Sequence, residues 1–510
     1  MTNNLSSPRP AWNGAAERTC AIVATLTTTM WKGRDDLRAL RGKATALEVR
    51  ADLAGSPDLD VLRGLFDGEL VYCLRSAEYG GAFAGDAAER RRHLLAAARS
   101  YDVVELEVDR DLSPDLLAAI PPQRRRICWY GRGLDSAGLR AVFARMVSTP
   151  ACLYVLAPEA ETVEQAMAPL RLLAGLDRSD VTAFATGNLG ACSRVLAPWF
   201  GAPVVFGGLG EDGAGGVPSV PHLLNAYPFP VLPPLEQVYG IVSRPMRESD
   251  SPRLHNDAYR VLGLPALYVP LPANEFSGSW AAMCAGFEQL GLRFGGATVA
   301  APFKEEALRL ADAASAEAVH TGAANLVVRE GGGWRAYTTD PDGVVGALQR
   351  AGVNLAGRAA AVVGCGGAGR GAAAGLLRAG AVPTIVNRGR ERGRYAAHLL
   401  GVDYLPLARF APEKYSLIVH ATPVRGMPPF AVDRIADGAV VVDFVYGPEE
   451  TELAAAVRAR HGVFVDGRRV LEVEVDRQFQ LLTGRSRPGP SESHGEFGFP
   501  VVPAQREFLR

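Results

Sequence analysis

A glycine-rich turn at residues 364–369 has the residue types and the spacing that bind a dinucleotide. Gly364, Gly366 and Gly369 form the pattern G-x-G-x-x-G, with Gly367 inside it, between the apolar run AAAVV and the helix-like run GAAAGLLRAG. Glycines permit a tight turn and let backbone amides at a helix N-terminus approach a pyrophosphate. Because strand, turn, helix and strand follow one another here, the segment predicts a dinucleotide-binding domain.

The end of the next apolar run indicates which dinucleotide binds. The run PTIVN ends at Asn387 and is followed by Arg388, where a NAD-binding fold places an acidic residue on the ribose hydroxyls. Arg388 and Arg392 instead offer guanidinium groups, which suit a 2′-phosphate. The sequence therefore predicts NADP(H) as the cofactor, with these three residues near the ribose. The alternative is that both arginines are solvated surface residues of an arginine-rich chain.

Lys304 is unusual because the chain carries its positive charge almost entirely on arginine. The four lysines of the sequence are Lys32, Lys43, Lys304 and Lys414. A lysine amine can release its proton when it is partly desolvated, whereas a guanidinium stays charged at any working pH. An arginine at position 304 could bind a substrate but could not transfer a proton to it.

The composition excludes several classes of function. With 54 basic and 55 acidic residues, the chain has no charge excess that favours nucleic acid or anionic membranes, so small molecules are the expected partners. The N-terminus lacks a signal pattern and no apolar run reaches the roughly 18 residues of a membrane span, which predicts a cytoplasmic protein. Seven scattered cysteines without CxxC pairing predict reduced thiols and no metal site.

Eight short apolar runs divide the first part of the chain at strand-plus-helix spacing. They begin at residues 20, 46, 70, 103, 125, 152, 181 and 203, and amphipathic stretches lie between them. Eight parallel strands can close on themselves and remove both sheet edges, so the pattern predicts an α/β protein with an N-terminal (β/α)8 barrel. The proline-rich stretch NAYPFPVLPPLEQVYG then marks a boundary, and a second α/β pattern begins near residue 238.

The part of the chain beyond this boundary resembles shikimate dehydrogenase. The resemblance is carried by SDSPRLHNDAYRVLGL (249–264), PFK (302–304), GAANLVVR (322–329), TTDPDG (338–343), the glycine-rich turn, ATPV (421–424), DFVYGPEET (443–451) and DGRRVLEVEVDRQFQLLTG (466–484). It implies a two-domain unit, with a substrate-binding domain at 238–345 and a Rossmann NADP-binding domain at 353–466. A helix at 467–484 would return to the substrate domain. The Pro-, Gly- and Ser-rich tail at 486–510 is predicted to be disordered.

The resemblance implies both the reaction and its catalytic pair. Members of this family move a hydride between the nicotinamide and the C3 carbonyl of 3-dehydroshikimate, while a lysine and an aspartate handle the hydroxyl proton. Lys304 and Asp340 occupy those two positions in this sequence. The retention of an amine at position 304 is thereby explained.

The same matching implies the residues that bind the substrate. Ser249 and Ser251 would bind the substrate carboxylate, and Tyr446 would lie on the carboxylate side of the pocket. Asn325 and Asp340 would bind ring hydroxyls.

Three positions depart from the family's pattern. Where the family has N-V-T-x-P-x-K, this chain has Thr298 and Ala300 at the asparagine and threonine positions, and the glutamine of the last helix is Glu474. Losing a donor that a buried polar group needs costs about 1–3 kcal/mol, enough to change which substrate fits. The reaction type is expected to survive, while the identity of the substrate stays open.

The first part of the chain resembles type I 3-dehydroquinate dehydratase over residues 19–227. A barrel followed by a dehydrogenase is the order found in bifunctional enzymes of the shikimate pathway. This resemblance implies that the barrel spans 17–230. It is carried by EVRAD (48–52), CLRSAEYGG (73–81), ELEVD (105–109), GNLGACSRVLAPWFGAPVVFGGL and VPSVPHLLNAY.

The residues that perform the dehydratase chemistry are missing from this part. Val155 stands where the family has the lysine that forms a Schiff base, and Gly131 stands where it has an assisting histidine. No lysine occurs anywhere from residue 44 to residue 303. Because covalent amine catalysis needs an amine, the barrel is expected to be degenerate and to act as a docking or stabilising module.

Four charged residues do persist at the family's substrate-contact positions. They could still bind an anion, or they could remain only as ion pairs of the barrel. These residues are Glu48, Arg50, Arg75 and Arg194.

Together these features predict a cytosolic NADP-dependent shikimate dehydrogenase of aromatic amino acid and chorismate biosynthesis, fused to a dehydratase-like barrel. One alternative is a dehydrogenase of a related cyclic hydroxy acid such as quinate. Another is a scaffold that binds metabolites without turnover. The presence of both Lys304 and Asp340 argues against a scaffold, because a sensor has no need of a proton-transfer pair.

Overall fold

The computed structural model describes residues 18–28, 34–209, 217–246, 249–424, 427–447 and 450–489. Within these ranges the strands form an eight-stranded sheet, two six-stranded sheets and a two-stranded ribbon. The three larger sheets follow one another along the chain, and helices pack against each of them. This order agrees with the predicted α/β architecture.

The N-terminal part is a nearly closed barrel of eight parallel strands. Its strands and those of the ribbon are β1 (Arg18–Thr19), β2 (Ala21–Leu26), β3 (Ala46–Arg50), β4 (Glu69–Cys73), β5 (Val103–Glu107), β6 (Arg125–Arg132), β7 (Leu153–Glu159), β8 (Val181–Ala183), β9 (Val204–Gly208) and β10 (Val231–Leu232). Strands β2 to β9 lie in chain order, and β9 returns to pair with β2. No ladder joins β8 to β9 in the described ranges, so one strand pair stays open. The prediction of eight parallel barrel strands is confirmed.

Helices between the strands cover the outside of the barrel. Asp86, Asp135 and Thr162 each precede a helix and accept a hydrogen bond from a first-turn amide, which fixes where that helix begins. The helices are α1 (Arg34–Arg38), α2 (Ala51–Ala54), α3 (Leu59–Leu65), α4 (Ala87–Ala97), α5 (Pro114–Ala119), α6 (Ser136–Met146), α7 (Val163–Ala174), α8 (Ala191–Leu196) and α9 (Val220–Ala226).

The second sheet is mixed and has six strands. They are β11 (Gln237–Ser243), β12 (Ala266–Pro272), β13 (Arg293–Val299), β14 (Ala313–Ala314), β15 (Leu326–Glu330) and β16 (Gly333–Tyr337), in the order β12-β11-β13-β15-β16-β14. Strands β11, β12 and β13 are parallel, and β15 runs antiparallel to β13. The helices of this part are α10 (Ser251–Val261), α11 (Ser277–Gln289), α12 (Lys304–Leu310), α13 (Ala316–Thr321) and α14 (Asp340–Arg350).

The third sheet is parallel and doubly wound. Its strands are β17 (Ala359–Val363), β18 (Val382–Asn387), β19 (Asp403–Pro406), β20 (Leu417–His420), β21 (Val440–Asp443) and β22 (Val463–Asp466), in the order β19-β18-β17-β20-β21-β22. The strand order reverses between β17 and β20, and ligands of such sheets bind in the crevice at that point. The helices are α15 (Gly367–Arg378), α16 (Arg390–Leu400), α17 (Glu452–Ala459) and α18 (Gly467–Thr483).

The barrel and the second sheet share one continuous hydrophobic core. Helix α11 lies against α7 so closely that a Cβ at Gly286 would be 3.0 Å from Met167 Cγ. Asn256 of α10 donates a hydrogen bond to the carbonyl oxygen of Ala226 in α9, at 2.9 Å. The second sheet and its helices therefore pack directly against the barrel.

The last helix returns to the second sheet. Tyr239 of β11 donates a hydrogen bond to the carbonyl oxygen of Leu482 in α18, at 2.9 Å. The domain boundaries drawn from the sequence remain a prediction. Residues 490–510 of the expected disordered tail lie outside the described residues. None of the helices in the described ranges is both long enough and apolar enough to cross a bilayer.

Candidate active site

The glycine-rich turn joins β17 to α15 at the crevice between β17 and β20. Gly364 has a φ of +110°, which side chains rarely adopt. A Cβ at position 369 would lie 2.1 Å from the carbonyl oxygen of Gly364, so only glycine permits this approach of helix and strand. Gly366 immediately precedes α15, and a Cβ there would meet nothing within 4 Å. The start of α15 is therefore unobstructed at Gly366, as a pyrophosphate site at a helix N-terminus requires.

Lys304 and Asp340 form an ion pair beside this crevice. Lys304 is the first residue of α12, and Asp340 is the first residue of α14. The amine donates to both carboxylate oxygens, at 2.7 and 2.8 Å. The aspartate side chain is 1% exposed and the lysine side chain is 16% exposed, so the amine keeps access to the crevice. The structure thus brings together the two residues that the sequence resemblance assigned to proton transfer.

Three glycines on one face of α15 set the distance between the ion pair and the nucleotide turn. A Cβ at Gly367 would lie 2.8 Å from Lys304 Cδ, and one at Gly371 would lie 2.5 Å from Asp340 Cβ. At Gly375 a Cβ would lie 2.5 Å from the carbonyl oxygen of Pro341. Residues four apart line one face of a helix, so this spacing lets α14 and Lys304 approach α15. Gly371 and Gly375 were not predicted, although their spacing was visible in the sequence.

Ser249, Ser251 and Tyr446 lie together at a second group of polar side chains. The Ser249 hydroxyl donates to the Ser251 hydroxyl, at 3.1 Å, and accepts from the Ser251 amide, at 3.2 Å. Burial raises the pKa of Tyr446, and a hydrogen bond with Ser249 opposes that shift. These three residues, predicted to bind a carboxylate, come from elements almost 200 positions apart and are brought together by the fold.

Asn325 is held by a network of neutral hydrogen bonds. Its side-chain amide donates to the Thr339 hydroxyl at 2.9 Å, and its carbonyl oxygen accepts from the Thr339 backbone amide at 2.8 Å. Gln478 of α18 also donates to the Thr339 hydroxyl, at 3.0 Å. Thr339 and Gln478 were missed by the sequence analysis. They fix the orientation of Asn325, and Thr339 directly precedes Asp340 in the chain.

Glu474 and Thr298 are two of the three residues that depart from the family's pattern, and their surroundings differ. Burial first, then the nearby Asp340 carboxylate, raise the pKa of Glu474 to about 8, and Lys304 opposes the shift. Thr298 instead bonds its hydroxyl to the phenol of Tyr268 inside the core. The Thr298 hydroxyl is therefore occupied by a hydrogen bond inside the core, whereas Glu474 lies close to the Lys304–Asp340 ion pair.

The residues predicted to bind the adenosine side of the cofactor lie at the end of β18. Arg388 is exposed, and Arg392 is also exposed, with its guanidinium 3.9 Å from a Glu305 carboxylate oxygen. Asn387 donates a side-chain hydrogen bond to the carbonyl oxygen of Gly389, at 2.9 Å. Both arginines are exposed at the end of β18, and only Arg392 of the two has a carboxylate nearby in the described ranges.

Arg370 is a buried residue of this crevice that the sequence analysis missed. It follows the third glycine of the motif and is 3% exposed. Its guanidinium donates to the carbonyl oxygen of Thr321 at 2.6 Å and to Glu305 at 2.9 Å. Arg370 therefore ties the nucleotide turn to the substrate side through α13 and α12.

His420 and Asp443 form a second buried pair that was not predicted. His420 Nδ1 lies 2.9 Å from Asp443 Oδ1, and its Nε2 lies 2.6 Å from the Thr422 hydroxyl. A Cβ at Gly364 would lie 3.2 Å from Thr422 Cγ2, so the pair fixes the loop after β20 against the glycine-rich turn.

The centre of the barrel contains a charged cluster. Arg126 pairs with Glu48 and, at 2.7 Å, with Glu105, and all three side chains are at most 3% exposed. The Cys73 thiol donates to Glu105 at 2.9 Å. Ligand atoms of Glu48, Cys73 and Glu105 lie within 4.8 Å of one another, but both carboxylates already pair with Arg126. Glu48 is thus part of an internal ion pair.

The three predicted arginines of the barrel differ in their partners. Arg50 forms two hydrogen bonds with Asp52, at 2.8 and 2.7 Å. Arg75 stacks on Tyr130, with its Cζ 3.7 Å from the ring centroid, and Arg194 stacks on Phe184, at 4.4 Å. Burial lowers the pKa of Arg194 to about 10. In the described ranges neither Arg75 nor Arg194 pairs with a carboxylate.

Val155 lies in the middle of β7 and is fully buried, and Gly131 lies near the end of β6. Val155 pairs in register with Cys128, which neighbours the Arg126 cluster on the inner wall. The inner wall thus offers no amine at the predicted Schiff-base position.

Comparisons with known proteins match both parts of the chain. The family "Type I 3-dehydroquinase" matches residues 21–230, and the family "Shikimate dehydrogenase substrate binding domain" matches residues 241–327. The bifunctional 3-dehydroquinate dehydratase/shikimate dehydrogenase, chloroplastic, of Arabidopsis thaliana is 27% identical over 453 residues, which cover 83% of this chain and 74% of that protein.

Two further proteins are similar to this chain. The shikimate dehydrogenase (NADP(+)) of Syntrophobacter fumaroxidans is 32% identical over 291 residues, which cover 55% of this chain and 95% of that protein. A solved structure of the dehydroquinate dehydratase and shikimate dehydrogenase from S. pombe is 23% identical and covers 92% of this chain and 96% of its own, with a TM-score of 0.41.

Proposed function

The chain belongs to the shikimate dehydrogenase family, and from that premise we propose that it reduces 3-dehydroshikimate to shikimate with NADPH. The observation that carries this proposal is the Lys304–Asp340 ion pair lying against the glycine-rich turn. A proton donor beside a nucleotide crevice is what the reduction of a ring ketone requires.

The proposed mechanism assigns the proton to Lys304. Its amine donates one proton to the carbonyl oxygen of the substrate, and Asp340 holds the amine in place through two hydrogen bonds. A nicotinamide cofactor held at the glycine-rich turn would supply the hydride to the carbonyl carbon. One hydride and one proton would together convert the ketone to a secondary alcohol and leave the cofactor oxidised. Ser249, Ser251 and Tyr446 would orient the ring by its carboxylate, and Asn325 would bind a ring hydroxyl.

The chain's own residues fit a phosphorylated dinucleotide. The open amides at the start of α15 suit the pyrophosphate, as does the close approach that Gly364 and Gly369 permit. Arg388 and Arg392 are exposed cations beyond β18, where a 2′-phosphate would be bound. Positions 387 and 388 are Asn and Arg, so neither offers the carboxylate that would bind free ribose hydroxyls.

We expect the protein to prefer NADPH to NADH because of these two arginines. Replacing both, in Arg388→Ala/Arg392→Ala, should lower kcat/KM for NADPH about 10- to 100-fold, the size expected for losing charge-assisted hydrogen bonds, and leave NADH nearly unchanged. Steady-state kinetics with both cofactors measure this. Arg394→Ala, also exposed on α16, is the matched control and should behave as wild type. Comparable kcat/KM for NADPH and NADH in the wild-type protein would refute the assignment.

The barrel is proposed to lack dehydratase activity. A Schiff base needs an amine at the inner wall, where Val155 stands. The nearest lysine along the described chain, Lys43, is exposed. Arg75 and Arg194 remain candidates for an anion site because they have no carboxylate partner in the described ranges, whereas Glu48 and Arg50 are already paired.

Borohydride trapping tests this proposal about the barrel. We expect no covalent adduct when the protein is reduced with borohydride in the presence of 3-dehydroquinate, because no buried amine is available to form an imine. Mass spectrometry of peptides from residues 1–235 is the measurement, and Lys32→Arg/Lys43→Arg, which removes both lysines of this region, is the control. A stoichiometric adduct in the wild-type protein that this double variant abolishes would overturn the proposal.

A further inference from the structure

Glu474 is a buried carboxyl group without a partner in a pocket that already contains one carboxylate. It lies on α18, and the residue is 9% exposed. Among the described residues, no side chain forms a hydrogen bond or an ion pair with its carboxyl group. The packing around it is tight, because a Cβ at Gly343 of α14 would lie 2.5 Å from Glu474 Cγ.

The charged and titratable groups that face Glu474 come from three other elements. They are Asp340 at the start of α14, Lys304 at the start of α12 and Tyr446 after β21. Glu474 therefore lies within electrostatic range of both the proton-transfer pair and Tyr446. A ring bound between these two ends would place an intermediate ring position next to Glu474.

The charges of the pocket do not balance for an acid that carries only hydroxyl groups. Lys304 contributes one positive charge, while ionised Asp340 and Glu474 contribute two negative charges. The substrate's own carboxylate adds a third. Burial and Asp340 raise the pKa of Glu474 to about 8, so this carboxyl group holds a proton near neutral pH unless a cation lies beside it. A bound cation would replace that proton.

We propose that Glu474 makes this pocket select a cyclic carboxylic acid in which one of the ring hydroxyls that is not oxidised is replaced by an amine. This inference rests on the proposed dehydrogenase function and specifies its substrate class. A carboxylate can only accept hydrogen bonds, and an ammonium group both donates and neutralises the second negative charge. A hydroxyl group can donate a hydrogen bond but carries no charge. Glu474 would then either stay protonated or carry a negative charge that no cation neutralises.

The test compares shikimate with its two analogues that carry an amine at one of the ring positions not oxidised, using NADP+ reduction by the full-length protein. We expect wild-type kcat/KM for one amine to exceed that for shikimate about 10- to 100-fold, the range of a charge-assisted bond. Glu474→Gln should reverse this preference. Glu472→Gln, an exposed position on the same helix, should leave it unchanged.

The pH dependence of the same ratio distinguishes a charge effect from a change of shape. Between pH 7 and 9 Glu474 ionises, so the wild-type ratio of amine to shikimate kcat/KM should rise while the amine stays protonated. In Glu474→Gln the ratio should not rise. A loss of packing alone would lower kcat/KM for both substrates equally and would not change how the ratio of the two values depends on pH.

The outcomes separate the two proposals. A wild-type ratio of one or less for both amines, or a ratio that Glu474→Gln leaves unchanged, overturns the amine proposal while shikimate oxidation still supports the dehydrogenase. If none of the three acids is oxidised, the proposed function fails and this inference fails with it.

Discussion

We expect Lys304→Ala to lower kcat for 3-dehydroshikimate reduction by roughly 10²- to 10⁴-fold, the usual contribution of a positioned proton donor. The amine is 2.7 Å from Asp340 Oδ1 and is the group next to Gly367 at the start of α15. Removing it leaves the carbonyl oxygen without a proton source on the protein. NADPH oxidation at saturating substrate measures the effect.

Lys304→Arg separates charge from proton transfer. A guanidinium can keep the ion pair with Asp340 but cannot release a proton at working pH, so this variant should also be inactive while binding substrate. Lys414→Ala removes an exposed lysine from the 3-10 turn at Pro412–Lys414 and should have wild-type activity. A wild-type rate in Lys304→Ala would discard the assignment.

The second large effect is expected in the barrel, where Arg126→Met should destabilise folding by about 3–5 kcal/mol. Arg126 is the counterion of both Glu48 and Glu105, and all three are buried. Methionine fills much of the space but leaves two buried carboxylates without the guanidinium that pairs with both of them. Hydrogen exchange of peptides from β3, β5 and β6 measures the loss of protection.

Arg178→Met is the matched control for this substitution. Arg178 pairs with Asp180 on the barrel surface, with 40% of its side chain exposed, and an exposed pair contributes at most about 1 kcal/mol. If Arg126→Met changes exchange in the barrel no more than Arg178→Met does, the central cluster is not what stabilises it. Because the barrel and the second sheet share a core, loosening of α11 and β12 is expected to accompany the effect.

The elements were predictable because their signals are local. Each barrel strand is a short apolar run that can be recognised without knowing which strands pair with it, and the glycine-rich turn is recognised within a span of six residues. The Lys304–Asp340 contact joins residues 36 positions apart. No periodicity predicts such a contact, and it was expected only because the sequence resembles a known family.

The residues that were missed depend on which surfaces meet. Gly371 is one of 56 glycines in the sequence. Its role is visible only in the structure, where Asp340 Cβ would lie 2.5 Å from a Cβ at position 371. Arg126 is the second residue of the run that begins at 125 and resembles a polar strand end, yet it is 2% exposed and pairs with two carboxylates from other strands. Thr339 and Gln478 lie 139 positions apart, so their hydrogen bond could not be anticipated from either segment.

NADPH oxidation by the purified full-length protein tests the central claim most directly, with 3-dehydroshikimate and, separately, with 3-dehydroquinate as substrate. The account predicts stoichiometric oxidation of NADPH with 3-dehydroshikimate, shikimate as the product, and no conversion of 3-dehydroquinate to shikimate. An absence of NADPH oxidation with 3-dehydroshikimate would contradict the proposed dehydrogenase, and shikimate formed from 3-dehydroquinate would contradict the proposed loss of dehydratase chemistry in the barrel.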